Sequence, residues 1–381
     1  MLRVFEVQRM RIGFLSYFNL QAGEGYEHWL SDVSSKLNDH EIYIVTSDKG
    51  PRRWDTKGCF EKAQIHEISF KKAIVNRFSK DYRVLNTLFN DVDLLYTLFF
   101  TYNRMSLILD FLVASAQLTH DLPVIAGHHN PHDWFSVRTG VLAKLGVAVG
   151  KVISSHHVLN EDARLDLVAQ GVKRVFKVPN GVATQSYTPR EKKDAFKILY
   201  VGTLEERKGV NLLPFAVAKL KRTIKEFELI VVGEGELEHV VRQMSANGYV
   251  KWLGFVNETN KRELYSTSHV FLAPSKRETF MLTGLEAMAS GTPVVTFDIP
   301  GPREYVVNGY NGFLVRSLEE MVEKVNKLYS LWKSGSQEYW EMCKNARKTA
   351  ERFDWAVIIP KLEHMFHTVV KEHGNNQMQS H

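Results

Sequence analysis

Ser275-Lys-Arg-Glu-Thr-Phe-Met-Leu-Thr-Gly-Leu-Glu-Ala-Met-Ala-Ser-Gly-Thr-Pro-Val-Val295 decides how the chain is read. It runs as the end of a strand, a loop, a helix and the start of the next strand. Glu278 falls in the loop and Glu286 inside the helix, with seven residues between them. A helix starting near Phe280 leaves the N–H groups of its first turn unpaired and directs a partial positive charge over the loop. A phosphate suits that place. Glu278, just before the helix, can accept hydrogen bonds from the hydroxyls of a ligand, and Glu286, about two turns along, can do so at a second position.

Outward from this stretch the same alternation fills the second half of the chain. Lys197-Ile-Leu-Tyr-Val-Gly202 is a strand ending in glycine, Thr203 to Gly209 a loop, and Val210 to Leu220 a helix. Glu228 to Gly233 repeats strand into glycine, and a further helix starts at Gly235. Val250 to Gly254, Val270 to Pro274, Pro293 to Asp298 and Gly312 to Val315 supply more strands, while 337–353 and 355–371 are helical.

The first half alternates too. Arg11 to Ser16 and Glu41 to Thr46 are strands flanking a glycine loop, with Gly23 and Gly25, and a helix with apolar Tyr26, Trp29, Leu30, Val33 and Leu37 at helical spacing. Gly23-x-Gly25 alone is as compatible with a tight turn as with a nucleotide loop. Ser69 to Asn90 forms a basic amphipathic helix, followed by a strand over 92–100, a helix over 105–118 and a strand over 122–126. Lys151 to Ser155 and Arg174 to Val178 are strands around a helix near 161–170. The chain then turns polar from Thr184 to Asp194, which places domains at 1–183 and 190–350, with the helix at 355–371 packing back on the first. Strands alternating with helices in both halves argue for an α/β fold of two Rossmann-like domains facing each other across a cleft.

Composition excludes the disordered and membrane-spanning classes. The chain has 381 residues, 44% hydrophobic and 24% charged, enough for two cores. Its net charge of +6 is mild and selects no partner among nucleic acid, anionic membrane and anionic nucleotides. Cys59 and Cys343 lie far apart without metal-ligand spacing, which favours a reducing, cytoplasmic setting. No stretch reaches the roughly 18 apolar residues of a spanning helix, and Met1 to Arg9 lacks a signal-peptide core.

The strand ending at Ala126 leads into Gly127-His-His-Asn-Pro-His-Asp-Trp134. Adjacent histidines on an extended strand point to opposite faces, and no second ligand cluster follows. Hydrogen bonding to a ligand is therefore preferred over a metal site for His128, His129, His132 and Asp133.

With these motifs assembled, the chain resembles the retaining glycosyltransferases of GT-B architecture, family 4, also called glycosyl transferases group 1. The resemblance rests on Pro274-Ser275, Glu278, Glu286-Ala-Met-Ala-Ser-Gly291-Thr-Pro293, Gly202 through Lys208-Gly209, Gly233-Glu-Gly235, Leu253-Gly-Phe-Val256, Asn308-Gly309, Asn311-Gly312 and Pro179-Asn-Gly181. It implies an enzyme that moves a hexose from a nucleoside-diphosphate sugar to a glycan, lipid-linked or small-molecule acceptor, with no cofactor, no catalytic metal and no nucleic-acid partner. As implied roles, Lys208 meets the donor diphosphate, and Phe280, Met281 and Leu282 offer backbone N–H groups to it. Glu278 holds sugar hydroxyls, Glu286 the ribose, and Phe255 and Val256 flank the base. Gly23 lets the first loop approach the donor or acceptor, Gly202 opens the phosphate loop, and His129 touches the sugar near the reacting carbon. The catalytic set is Lys208, Glu278 and His129.

Two positions depart from the family. Thr203 stands where an arginine is usual, with Arg207 as the candidate replacement, and Met281 stands where a glycine is usual, so that its side chain must point away from the phosphates. A GT-B-like epimerase or phosphorylase, or a non-catalytic sugar-nucleotide or membrane-surface binding protein, are the competing functions. Lys71, Lys72, Arg77, Lys80 and Arg83 around Phe70 make the basic helix a candidate for peripheral contact with an anionic membrane at the cytoplasmic face.

Overall fold

Why the chain divides where it does follows from two separate runs of buried apolar strands. The computed structural model describes residues 9–22, 25–50, 55–98, 104–129, 141–192 and 195–378. Its described residues form two compact units, one up to Pro179 together with those from Ile358 on, the other Asn180–Val357.

In the first unit, β1 (Arg11–Ser16), β2 (Glu41–Ser47), β3 (Ala63–Ile68), β4 (Leu94–Leu98), β5 (Val124–His128), β6 (Ser155–Val158) and β7 (Val175–Lys177) form one sheet. Their order is β3-β2-β1-β4-β5-β6-β7, and every pairing is parallel. Helices α1 (Gly25–Lys36), α2 (Phe70–Val75), α3 (Lys80–Asp91), α4 (Arg104–Thr119), α5 (Val141–Val152) and α6 (Glu161–Ala169) connect them. A parallel sheet covered on both faces needs strands apolar throughout, and β4 and β5 are buried at every position. Leu15, Val45, Leu95, Val124 and Ala126 pack there with Leu85, Leu88, Val113 and Leu167.

Three details of this unit differ from the pattern read in the sequence. The helix expected over Ser69 to Asn90 is two, because Asn76 is extended and Ser79 caps a new start by accepting from the Tyr82 N–H. Asp81 then accepts from the Ser69 N–H at 2.7 Å, tying the two pieces together. The strand expected over Lys151 to Ser155 lies three to four residues further on. Lys151 and Val152 finish α5, and the strand proper is Ser155-His-His-Val158, buried at all four positions. Its histidines mask it from any apolar pattern. The edge strand β3 was not expected at all, since most of its side chains face outward.

The second unit repeats the plan with β8 (Phe196–Val201), β9 (Phe227–Val232), β10 (Lys251–Trp252), β11 (Val270–Ala273), β12 (Val294–Phe297) and β13 (Gly312–Val315). They are parallel, in the order β10-β9-β8-β11-β12-β13. Their helices are α7 (Leu213–Leu220), α8 (Glu238–Ala246), α9 (Glu258–Thr267), α10 (Leu282–Ala289), α11 (Pro300–Arg303), α12 (Leu318–Lys333) and α13 (Gln337–Glu351). Asn180 to Ala183, placed in the first domain by the sequence, and the polar segment from Thr184, read as the boundary, belong to this unit. The last helix, α14 (Trp355–Met378), begins here, and from Ile358 on it belongs to the first unit, where Phe366 packs edge-on against Tyr96. Among the described residues, no helix is long and apolar enough to cross a membrane.

Candidate functional site

The strand order of the second unit locates its site. From β8 the chain builds outward through β9 and β10, then returns to β11 on the other side of β8, so the direction reverses between β8 and β11. Loops leaving adjacent strands at such a reversal diverge and leave a crevice at the carboxyl ends. Here those loops are Gly202 to Gly209 and Pro274 to Met281.

The two loops are held together by backbone and side chain. The Lys276 N–H donates to the Arg207 carbonyl at 2.8 Å, and Lys276 Nζ pairs with Glu206 at 2.8 Å. Gly209 has φ +74° and presses on Pro274, whose carbonyl oxygen would lie 1.8 Å from an added Cβ. No side chain fits there, which explains why glycine follows Lys208.

This closure sets Lys208 against Glu278. Lys208 Nζ donates to Glu278 Oε1 at 2.7 Å, and the Arg207 guanidinium stands 3.9 Å from the other oxygen while bonding Glu205 at 3.2 Å. The Glu278 side chain is only 7% exposed, so its charge is compensated by two cations from a loop 70 residues away. Thr203 is exposed and supplies no charge, whereas its carbonyl accepts from the Tyr200 hydroxyl at 3.0 Å. Gly202 is half-buried, and its N–H continues the β8–β9 ladder to the Val232 carbonyl.

Helix α10 begins at Leu282, two residues later than the sequence predicts, because Met281 adopts the left-handed conformation with φ +62° and ψ +68°. A left-handed residue followed by a right-handed one turns successive N–H groups into a single concavity that suits an anion. The N–H groups of Phe280, Met281 and Leu282 meet no acceptor among the described residues. The Met281 side chain is buried, with its sulfur 3.8 Å from Thr296 Oγ1, and the Tyr305 hydroxyl donates to the Met281 carbonyl at 2.8 Å. It thus points into the unit, away from the concavity.

Glu286, about one turn into α10, accepts from the Tyr265 hydroxyl at 2.9 Å and from Lys261 Nζ at 3.3 Å. Burial pulls the Lys261 ammonium down, but Glu286 and Glu258 together lift it above its ordinary value. Burial first, and then the Glu286 carboxylate, hold the Tyr265 hydroxyl well above the tyrosine range. Sequence reading missed Lys261 and Tyr265; their spacing of four on one face of α9 was the signal available. Phe255 is 75% exposed and Val256 half-buried in the loop after β10, leaving an aromatic face open to a ligand.

In the first unit, Gly23 lies outside the described residues, as do Asn130, His132, Asp133 and Trp134. His129, just past β5, is half-buried, with its ring 4.4 Å from the centre of Trp29 and 5.1 Å from Tyr26. Its Nε2 lies 2.7 Å from the Tyr96 hydroxyl. Burial, and then His157 and His128, push its pKa well below the ordinary histidine value, so it is neutral near pH 7. His128 faces the opposite side of the sheet and bonds His156 at 2.9 Å. No group of three or more His, Cys, Asp or Glu able to hold a metal occurs among the described residues.

The chain is similar to known proteins in sequence and in fold. An uncharacterized glycosyltransferase of Methanocaldococcus jannaschii is 33% identical over 169 residues, 42% of each chain. Phosphatidyl-myo-inositol mannosyltransferase of Mycolicibacterium smegmatis is 27% identical over 228 residues, 58% of each. The chain thus spans about half the length of the curated relatives it matches. Among solved structures, HepE of Anabaena in complex with UDP superposes with a TM-score of 0.77 at 18% identity, covering 94% of this chain and all of the other. Sucrose-phosphate synthase of Thermosynechococcus elongatus gives 0.74 at 16% identity, over 95% of this chain and all of the other. These likenesses show the GT-B fold. Residues 184–352 match the model of the family described as glycosyl transferases group 1.

Proposed function

We propose that the protein is a retaining glycosyltransferase that moves a hexose from a nucleoside-diphosphate sugar to an acceptor hydroxyl. The observation that carries this is Lys208 set against Glu278 beside the three open N–H groups at the start of α10. Lys208 has three donors and Glu278 uses one. The others can meet a diphosphate oxygen, while Glu278 Oε2 accepts from a sugar hydroxyl. Glu286, held by Lys261 and Tyr265, is oriented for the ribose, Phe255 and Val256 flank the base, and His129 contacts the sugar. In the reaction the bond from the anomeric carbon to the diphosphate oxygen breaks, a bond to the acceptor oxygen forms, and the acceptor proton passes to the departing diphosphate. Lys208, Arg207 and the α10 concavity stabilise the charge that develops on that leaving group. No resident cofactor or metal is required, so transfer should persist in EDTA.

The test is release of nucleoside diphosphate from a panel of nucleotide sugars, with and without acceptors, starting with UDP-sugars because HepE binds UDP. Lys208→Ala and Glu286→Ala should each lower transfer at least about tenfold, equivalent to about 1.4 kcal/mol of transition-state stabilisation. Wild-type rates in both variants would refute the site. Donor binding without turnover on any sugar would favour a binding protein, and sugar interconversion without acceptor would favour an epimerase.

The acceptor is proposed to be reached at an anionic membrane surface. Val75 and Phe78, at the turn between α2 and α3, are 78% and 75% exposed, with Lys71, Lys72, Arg77, Lys80 and Arg83 around them. An apolar tip ringed by cations suits an anionic bilayer at the cytoplasmic face. Co-sedimentation with anionic vesicles should be strong at low salt and lost in Phe78→Asp; binding equal to that of neutral vesicles would reject it.

A further inference from the structure

His129 sits at the end of a hydrogen-bonded chain whose donors can be assigned from the last link backward. His157 Nε2 lies 2.8 Å from the Val178 carbonyl, which can only accept, so that nitrogen carries the proton. Burial holds His157 down to about 4, so near neutral pH the ring is uncharged and its Nδ1 is an acceptor. The Tyr96 hydroxyl, 2.6 Å from that Nδ1, must donate to it. Having spent its proton, the Tyr96 oxygen can only accept from His129 Nε2 at 2.7 Å, which places the His129 proton on Nε2.

The sheet is built to carry this chain. Tyr96 comes from β4, His129 follows β5, His157 lies on β6 and Val178 follows β7, four neighbouring strands in register. Gly127, paired with His157 in the β5–β6 register, leaves the opening: a Cβ there would lie 2.1 Å from the Tyr96 oxygen. Trp29 and Tyr26 fix the ring plane of His129. Its Nδ1 meets no partner among the described residues.

We infer that Tyr96 and His157 are positioning residues that lock His129 as the Nε2–H tautomer, so that its Nδ1 is presented as an acceptor to a hydroxyl of the ligand. The ligand part rests on the proposed contact between His129 and the donor sugar. A locked acceptor selects a hydroxyl that donates and rejects a bare carbonyl or carboxylate, so it adds a chemical criterion to the site. The relay also removes the proton ambiguity that a free imidazole would bring to the reacting centre.

The test is long-range 1H–15N correlation on the full chain carrying labelled histidine, with the His129 signals identified by their loss in His129→Gln. The wild type should show a protonated Nε2 and unprotonated Nδ1 for His129 near neutral pH. Tyr96→Phe should relax this to a mixture and lower kcat roughly tenfold with the donor KM nearly unchanged. A proton on Nδ1, an imidazolium, or an identical pattern in Tyr96→Phe would overturn the lock. If Tyr96→Phe does not fold, the wild-type pattern alone decides the tautomer. If the tautomer is as assigned but His129→Gln transfers at the wild-type rate, the sugar contact fails and the presented acceptor with it, while the Lys208 and Glu286 variants still judge the enzyme reading separately.

Discussion

Met281 is the residue where local conformation and tertiary packing oppose each other. Its φ of +62° is the conformation for which glycine is the usual choice, and a side chain there costs about 1–2 kcal/mol. Against this, the methionine is 4% exposed and fills the space between Thr296, Tyr305 and Gly284, where Cε would lie 2.5 Å from an added Cβ at Gly284. Losing such a side chain from a core typically costs about 2–5 kcal/mol. Burial therefore outweighs strain, and Met281→Gly should destabilise the second unit by about 1–3 kcal/mol in urea denaturation. A gain in stability would mean that the strain dominates. The Tyr305 hydroxyl bonded to the Met281 carbonyl keeps the concavity in place from below, a contact between residues 24 apart that no local pattern announces.

At the scale of elements, a buried lysine joins the segment after Asn180 to the end of α10. Lys192 Nζ donates to the Gly291 carbonyl at 3.0 Å and to Thr292 Oγ1 at 2.7 Å, and Thr292 Oγ1 in turn donates to the Tyr265 carbonyl at 2.7 Å. Burial pulls Lys192 down to about 8 from its ordinary 10.5. The folded state then holds fewer protons than the unfolded chain between those values, so stability rises with pH from about 8 to about 10.5. Denaturation midpoints should increase over that window in the wild type, and the increase should shrink in Lys192→Met. An unchanged slope would assign the effect to other groups. Because the same threonine touches Tyr265, which holds Glu286, this anchor also steadies the proposed ribose contact.

At the scale of the whole molecule, each unit has its own apolar core, and the proposed donor contacts on Lys208, Glu278 and Glu286 all belong to the second. A ligand that binds only the folded form stabilises it by about 2.7 kcal/mol at a hundredfold excess over Kd. In calorimetry, nucleoside diphosphate should therefore raise the transition of the second unit, and Lys208→Ala should suppress most of the shift. An equal shift in that variant would move the phosphate contact elsewhere.

The sequence by itself determined the alternation of strands and helices in the second unit and the two loops on which the candidate site is built. Those signals are local: apolar runs that end in glycine or proline, and Lys208-Gly209 and Glu278 through Glu286 at fixed spacing within one strand–loop–helix unit. Tertiary structure alone decided what those residues touch. Glu278 is paired from a loop 70 positions away, Glu286 by Lys261 and Tyr265 from α9, and the proton on His129 by Tyr96 and His157 from two other strands. It also decided that Ser155-His-His-Val158 is a fully buried strand, which composition disguises, and that Asn76 divides the basic helix. The physical reason is the same in each case. A strand or a turn is set by neighbours within a few residues, whereas burying a polar group requires a partner that only the folded sheet brings within hydrogen-bonding distance.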